Sequence, residues 1–216
     1  MLVLGIDTAT EATSVAVHDG QRVLAERTTV DPRRHAEAVG PAIADVVRSA
    51  QRIVADITAV AVGVGPGPYT GLRVGIATAL ALADGLGVPA YGVCSLDVLA
   101  RQIESGTPIT VVTDARRREV FWATYDADGK RISGPSVGRP ADVAAIASGP
   151  FVGPGAALYR DVFGAVSAPK QLSAGMLCVL AAEHLGEGAA VEPVRPVYLR
   201  RPDTAAPATA KPVLQP

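Results

Sequence analysis

The chain has 216 residues, of which 49% are apolar and 19% charged, a composition typical of a globular protein of one compact unit or two small lobes and not of a disordered chain. With 20 basic and 21 acidic residues its formal net charge is −1. This balance excludes a global positive field that would hold a polyanion.

Short runs rich in β-branched residues open the chain and alternate with turn residues such as Asp19-Gly20. They predict an antiparallel meander of three strands, Met1–Asp7, Thr13–His18 and Val23–Thr29. Between Ala36 and Ala50 the apolar residues recur every three or four positions, which predicts an amphipathic helix. We expect Pro41 in the first turn of that helix or at a kink.

A strand, a glycine and proline loop and a long helix follow in the central part of the chain. The predicted bounds are Ile57–Val64, Gly65–Tyr69 and Thr70–Leu86, with a further strand at Val88–Val93. We expect Thr70 to cap the long helix, and Ser95 to cap a short helix that runs to Ile103.

The second half begins with two more predicted strands, Ile109–Thr113 and Glu119–Tyr125, and closes with a helix at Ser173–Leu185. Gly5-Ile6-Asp7-Thr8 and Val112-Thr113-Asp114-Ala115 each place an aspartate at a strand end, which indicates an internal duplication. The pattern predicts an α/β protein of two lobes, residues 1–105 and a smaller 106–201, each a mixed sheet with packed helices. Residues 202–216 are too polar and proline-rich to order themselves, so we predict a disordered tail.

Two glycine or aspartate motifs are candidates for phosphate binding. The loop Gly65-Pro66-Gly67-Pro68 precedes a helix but lacks the Lys and Ser/Thr ending of a Walker A loop, so a stiff structural turn is the preferred interpretation. Asp7, Thr8 and Thr10 lie where a phosphate loop would lie, although no glycine follows Asp7. A vestigial phosphate loop and a capped hairpin turn both remain open for these three residues.

The sequence offers no pattern for a metal, disulfide or membrane site. His18, His35 and His184 have no histidine partner at helical spacing, and Cys94 and Cys178 are isolated. The N-terminus has no basic region before its apolar stretch, and no apolar run approaches the length of a membrane span. We therefore expect a cytoplasmic protein without a resident metal or cofactor.

The helix predicted at Thr70–Leu86 is apolar around almost its whole circumference. One face can lie on the sheet, and its small residues Gly71, Gly75, Ala79 and Ala83 predict the close approach of another helix. The cover for the other face is either the helix Ala36–Ala50 of the same chain or another subunit.

Arg116–Arg118 and Arg200-Arg201 are two short clusters of positive charge. They are able to contact a phosphate backbone, but no aromatic residues alternate with them to stack bases. A solvated turn is the preferred interpretation, and a direct tRNA contact is the alternative.

Several segments together resemble the TsaB (YeaZ) family. They are LGIDTAT, RRHAEAV, GVGPGPYTGLRVGIATALALADGL, VPAYGVCSLDVLA and DARRREVFWATY. The resemblance covers roughly residues 1 to 125, and the run from Gly63 to Ala100 is its most specific part.

The resemblance implies the actin/Hsp70-like (ASKHA) fold and a non-catalytic role beside the enzyme TsaD, with TsaE, in threonylcarbamoyl transfer to adenosine 37 of tRNAs that read codons starting with A. In TsaD-like sequences the segment matching Val93–Leu99 carries two metal-binding histidines, and here Ser95 and Leu99 stand at those positions. Neither side chain replaces imidazole as a ligand, which implies a degenerate paralogue. Any nucleotide or metal is then expected on TsaD or at the subunit junction.

The family pairs through helices of the first lobe, which implies a complex with TsaD, or a homodimer when TsaD is absent. Periodicity and resemblance together select seven residues for that surface: His35, Val39, Ile43, Tyr69, Arg73, Ile76 and Leu80. The alternative function is an enzyme of the same fold, either metalloprotease-like or an ATP-binding phosphotransferase.

Overall fold

The structure, a computed structural model, describes residues 1–103, 105–164, 171–186 and 194–200. Within these ranges the chain forms two β-sheets with helices packed on them. The first sheet ends at Val93 and the second begins at Ile109, so the lobe boundary near residue 105 falls between them and stays a prediction. The predicted tail, 202–216, lies outside the described residues.

The first sheet is mixed, with the strand order β3-β2-β1-β4-β5. Strands β1 and β2 pair antiparallel, as do β2 and β3, which confirms the predicted meander, and β4 and β5 then add in parallel. The strands are β1 (Val3–Asp7), β2 (Ala12–His18), β3 (Val23–Val30), β4 (Ala59–Gly63) and β5 (Ala90–Val93).

Three helices belong to this part of the chain: α1 (His35–Ser49), α2 (Tyr69–Leu86) and α3 (Ser95–Arg101). Helix α1 starts at His35, so Pro41 lies in its second turn and not in the first. Both predicted caps were wrong, because Pro68 and Cys94 precede α2 and α3, and neither helix has a side-chain cap. Thr70 is an exposed residue inside α2, while the hydroxyl of Ser95 is already committed to a contact with β1.

The second sheet has the order β8-β7-β6-β9, in which β6 pairs antiparallel with β7 and parallel with β9. This repeats the order β3-β2-β1-β4 of the first sheet, so Asp7 and Asp114 end corresponding strands, as the internal duplication predicts. The elements are β6 (Ile109–Asp114), β7 (Val120–Tyr125), β8 (Arg131–Gly138), α4 (Pro140–Ile146), β9 (Phe151–Val152), α5 (Pro154–Leu158) and α6 (Arg160–Phe163).

Helix α7 (Ala174–Gly186) packs on the first sheet, and its bounds differ from the predicted range 173–185 by one residue at each end. The backbone N–H of Ala174 donates to Ser14 Oγ at 3.0 Å, and Leu177 and Cys178 are fully buried. A Cβ at Gly5 would lie 2.5 Å from Cys178 Sγ, so glycine at this position permits the close approach of α7 to β1. The first sheet therefore lies between α7 on one side and α1 with α2 on the other.

No helix among the described residues is long and apolar enough to cross a bilayer.

Candidate functional site

Asp7 ends β1 with its carboxylate inside the protein, at only 1% exposure. Its Oδ2 accepts a hydrogen bond from Ser95 Oγ at 2.7 Å, and its Oδ1 accepts one from the backbone N–H of Ala9 at 2.8 Å. A Cβ at Gly63 would lie 1.7 Å from Oδ2, so only glycine fits beside the carboxylate. Asp7, the first residue of the predicted phosphate loop, is therefore packed inside the protein.

Burial raises the pKa of Asp7 to about 6, because the charged form loses its hydration, while the hydrogen bonds from Ser95 and Ala9 act in the opposite direction. At neutral pH the side chain is therefore ionised at a cost in stability. A carboxyl group with a strongly shifted pKa is a common sign of a functional site, although structural residues show such shifts too.

Thr8 joins the same turn to helix α2. Its hydroxyl donates to the carbonyl of Gly71 at 2.7 Å and accepts from the N–H of Gly75 at 3.0 Å, the two groups that a regular helix would join directly. A Cβ at Gly75 would lie 2.4 Å from the Thr8 hydroxyl, and one at Gly67 would lie 2.1 Å from the carbonyl oxygen of Ala9. The glycines of this motif let α2 and its loop approach the turn after β1.

This packing decides between the two covers predicted for the small-residue track on α2. Gly71, Gly75, Ala79 and Ala83 are all buried, and a Cβ at Gly71 would lie 2.6 Å from the carbonyl oxygen of Thr8 and 3.2 Å from the ring of His35 on α1. The cover therefore comes from the chain itself, and the track is not available to a helix from another subunit.

A cleft of about 300 Å³ separates the turn after β1 from the second sheet. Of the three predicted phosphate-loop residues, Thr10 borders this cleft, whereas Asp7 and Thr8 do not. The Oγ1 of Thr113, a residue with 7% exposure, also lies on the cleft and has no hydrogen-bond partner within the described part of the chain. Asp114 instead accepts from the N–H of Arg116 at 2.8 Å and so caps its own turn.

Ser95 and Leu99, which the resemblance aligns with two metal-binding histidines, both contribute to the packing of the fold. Ser95 is buried and donates to Asp7, and Leu99 is fully buried in the core, with one edge on the cleft. The residues that the structure describes include no group of three or more His, Cys, Asp or Glu side chains placed to hold a metal ion.

The seven residues predicted for a partner surface divide into two groups. His35, Val39, Ile43 and Ile76 are buried within this chain, and His35 Nδ1 lies 2.9 Å from Thr13 Oγ1. Burial also lowers the pKa of His35, because the charged imidazolium would lose its hydration. The other three, Tyr69, Arg73 and Leu80, are exposed, and Leu80 exposes 43% of its surface.

The outer face of α1 and α2 carries small and apolar residues that the prediction missed. On α1 the exposed positions Ala36, Gly40 and Ala44 follow one another at intervals of four. On α2 the same interval joins Tyr69, Arg73, Ala77 and Ala81, beside the exposed Leu80. The four-residue spacing in the sequence was the signal that could have found this face.

Gly40 directly precedes Pro41 inside the 15-residue helix α1, and its lack of a Cβ avoids the clash that proline imposes on a preceding residue in helical conformation. Apart from its chain neighbours, no described residue lies within 4 Å of a Cβ built on it. The open space beside Gly40 would also admit a closely packed partner helix.

The segment 194–200 ties the two sheets together across the start of α2. The N–H of Val197 donates to the carbonyl of Val64 at 2.8 Å, and the ring of Tyr198 stacks on Tyr69 at 5.0 Å between centroids. Arg200 forms an ion pair with Glu119 in the turn between β6 and β7. Sequence patterns gave no sign of this segment's role.

Two mixed sheets of corresponding strand order, with a cleft between a turn after the first strand of each, define a protein of the actin-like class. A family model for TsaD, tRNA N6-adenosine threonylcarbamoyltransferase, matches residues 22–187. A crystal structure from Pseudomonas aeruginosa, of an uncharacterised protein with similarity to peptidase YEAZ, superimposes with a TM-score of 0.80 at 32% identity, covering 92% of this chain and 99% of that one.

An uncharacterised protein of Mycobacterium tuberculosis is 46% identical over 204 residues, which are 93% of this chain and 92% of that protein. The tRNA threonylcarbamoyladenosine biosynthesis protein TsaB of Escherichia coli is 39% identical over 131 residues, 59% of this chain and 56% of TsaB. The chain belongs to the TsaB/YeaZ family.

Proposed function

We propose that this chain is a cytoplasmic, non-catalytic subunit of tRNA threonylcarbamoyladenosine biosynthesis. It binds a TsaD enzyme, with TsaE joining the complex, and supports threonylcarbamoyl transfer to adenosine 37 of tRNAs that read codons starting with A. A second copy of the chain pairs with it when TsaD is absent. Its family membership supports this proposal, since the relative from Escherichia coli carries the name of that biosynthesis.

The observation that carries the binding role is the outer face of α1 and α2. Its exposed residues include the small Ala36, Gly40 and Ala44 on α1 and Leu80 and Ala81 on α2. Side chains this small let the axes of two packed helices come within about 8 Å. Gly40 leaves this face open to a helical partner, because no described residue other than its chain neighbours lies near a Cβ built there.

The absence of catalysis is supported by what the relevant residues do. Ser95 and Leu99 occupy the metal-ligand positions of TsaD-like sequences, and Ser95 is already bonded to Asp7. Asp7 itself is buried behind Gly63 and does not border the cleft. In the proposal, any nucleotide or metal belongs to TsaD or to the junction between the subunits.

Co-expression with TsaD from the same organism, size-exclusion light scattering and a transfer assay on tRNA test the proposal. We expect a stoichiometric complex whose activity depends on this chain. Gly40→Trp and Leu80→Glu should each abolish the complex and the activity, because they place bulk or charge on the docking face. Ala145→Trp is the matched control, since Ala145 is exposed on helix α4.

A complex that tolerates Gly40→Trp and Leu80→Glu as well as Ala145→Trp would refute the assigned surface. Ile76 is unsuitable for this test, because it is buried in the chain's own core and its replacement would unfold the protein. Micromolar binding of ATP to the isolated chain, measured by calorimetry, would contradict the non-catalytic role and favour a phosphotransferase.

A further inference from the structure

A second cavity, of about 310 Å³, opens beside the start of α2. It lies between that helix, the turn joining β6 to β7 and the segment 194–200. Its lining combines aromatic rings with guanidinium groups, and the main contributors are Tyr69, Tyr198, Arg116, Arg117 and Arg200. We call it the arginine pocket. No aromatic residue alternates with the turn arginines in the sequence, and the fold brings the rings of Tyr69 and Tyr198 beside them.

The turn that supplies the arginines has an uncommon backbone. Arg116, Arg117 and Arg118 have φ angles of 63°, 54° and 61°, so three consecutive non-glycine residues are left-handed. Each such residue typically costs on the order of 1 kcal/mol, and glycine or asparagine would hold the turn at lower cost. All three side chains are exposed. Packing therefore does not account for three arginines here, whereas a role for their charge does.

The charge around the pocket is strongly unlike that of the whole chain. Among the described residues, Arg116, Arg117 and Arg200 line the pocket, and Arg116 pairs with Asp114 while Arg200 pairs with Glu119. Arg118 belongs to the same turn, and Arg73 contacts the rings of Tyr69 and Tyr198. The chain as a whole has a net charge of −1, so arginine is concentrated here relative to the chain, which favours a polyanion.

The ion pair between Arg116 and Asp114 leaves that guanidinium accessible, whereas Arg200 is held by Glu119 and by the carbonyl of Ala115. Arg116 Nη1 lies 3.3 Å from Asp114 Oδ2 at a site where the arginine is mostly exposed. Exposed pairs of this kind contribute little stability, so a phosphate oxygen can share the guanidinium. Arginine is well suited to this exchange because its planar fork binds phosphate through two hydrogen bonds.

The rings provide a stacking platform next to the charge. The guanidinium of Arg73 lies 3.8 Å from the centroid of Tyr69 and 5.9 Å from that of Tyr198, and the two rings stack on each other. Tyr198, with 40% exposure, is further fixed by the hydrogen bond that its hydroxyl accepts from Arg73 Nε at 2.9 Å. A fixed, partly exposed ring beside arginines is the arrangement that binds single-stranded nucleic acid.

We propose that the arginine pocket binds single-stranded RNA, with phosphates on the arginine turn and a base on Tyr198. The identification of that RNA as a loop of tRNA rests on the proposed function. The binding itself is a property of this chain and requires no partner.

Fluorescence anisotropy of a labelled single-stranded RNA, titrated with the isolated chain at about 50 to 200 mM salt, tests the proposal. Arg116→Gln, Arg117→Gln and Arg118→Gln combined should lower the slope of log affinity against log salt by about 2, since each lost phosphate contact removes about 0.7. The control is Arg22→Gln, Arg33→Gln and Arg52→Gln combined. It changes the net charge by the same amount at exposed sites elsewhere, and its slope should stay close to that of the unaltered chain.

The stacking role is tested separately. Tyr198→Ala should weaken RNA binding about tenfold at every salt concentration without changing the slope, whereas Tyr198→Phe keeps the ring and should bind as the unaltered chain does. Circular dichroism melting confirms that each variant is folded before its titration.

Three results would overturn the proposal: equal slopes for the two triple variants, absence of RNA binding at low salt, or equally tight binding of a polyglutamate peptide. The last would assign the pocket to an acidic protein segment. Because TsaD is absent from every titration, failure here leaves the pairing through α1 and α2 untouched. A failed pairing likewise leaves these titrations valid.

Discussion

Replacing Asp7 with asparagine isolates the energetic role of its buried carboxylate. The side chain keeps its size, so Oδ1 still accepts from the N–H of Ala9, and the new amide donates to the hydroxyl of Ser95. The substitution removes the charge that burial disfavours. The second N–H of the amide gains no partner in this arrangement, a cost of about 1 to 3 kcal/mol that does not vary with pH.

The pH dependence follows from the pKa of Asp7, raised from 3.8 to about 6 in the folded chain. Between these values the folded protein binds more protons than the unfolded one, so the free energy of unfolding falls as pH rises. From about pH 4 to pH 7.5 this contribution amounts to about 2.5 kcal/mol, and it is missing in Asp7→Asn. The stability difference, variant minus unaltered chain, should therefore rise by about 2.5 kcal/mol over this range.

Urea unfolding followed by circular dichroism at several pH values measures this difference. Taking the difference matters because His35 acts in the opposite direction, its lowered pKa making the fold less stable as pH falls below 6.5. His35 is present in both proteins, so its contribution cancels. A stability difference that stays constant with pH would show that burial does not raise the pKa of Asp7. A difference that falls with pH would show that the ionised form has a stabilising partner, such as a bound cation.

Two further substitutions and one labelling experiment test the packing around this turn, the docking face and the cover over the cysteines. Thr8→Val should destabilise the chain by about 2 to 3 kcal/mol in urea unfolding, because the carbonyl of Gly71 and the N–H of Gly75 lose their bridge, and Thr8→Ser should retain most of the stability. Gly40→Ala should change the stability by no more than about 1 kcal/mol, because the better helix propensity of alanine is opposed by the clash of its Cβ with the ring of Pro41, and a larger loss would contradict the open outer face. Both cysteines are buried with raised pKa values, that of Cys94 at about 12, so a thiol reagent at pH 8 should label neither in the native chain and both in urea. Rapid native labelling would show that α7 or α3 opens.

The strands and long helices were predictable because their signals are local. The β-branched runs on both sides of Asp19 predicted the antiparallel meander, and the three- and four-residue spacing after Ala36 predicted α1 to within one residue at each end. The correspondence between Asp7 and Asp114 was also visible in the sequence, since each follows a run of strand-forming residues. None of these inferences required knowledge of distant contacts.

The site was less predictable because its contacts join distant parts of the chain. A serine before a helix is normally a cap, yet the hydroxyl of Ser95 is bonded to a carboxylate 88 positions earlier. Periodicity showed that α2 is apolar on two faces, but it could not show that Ile76 is covered by the chain itself while Leu80 is not. Tyr198 meets Arg73 from 125 positions away, and no local pattern encodes such a contact.

The glycine-rich motif after β4 illustrates how inward packing frees an outward surface. Gly67, Gly71 and Gly75 let the loop and helix α2 lie directly on the turn that follows Asp7, and Thr8 fixes that contact. These small residues hold α2 in place through its inner side. The opposite side of α2 therefore needs no helix of the same chain to cover it. The rows through Tyr69 and Gly40 are then exposed on a rigid support, which lowers the entropic cost of docking a partner.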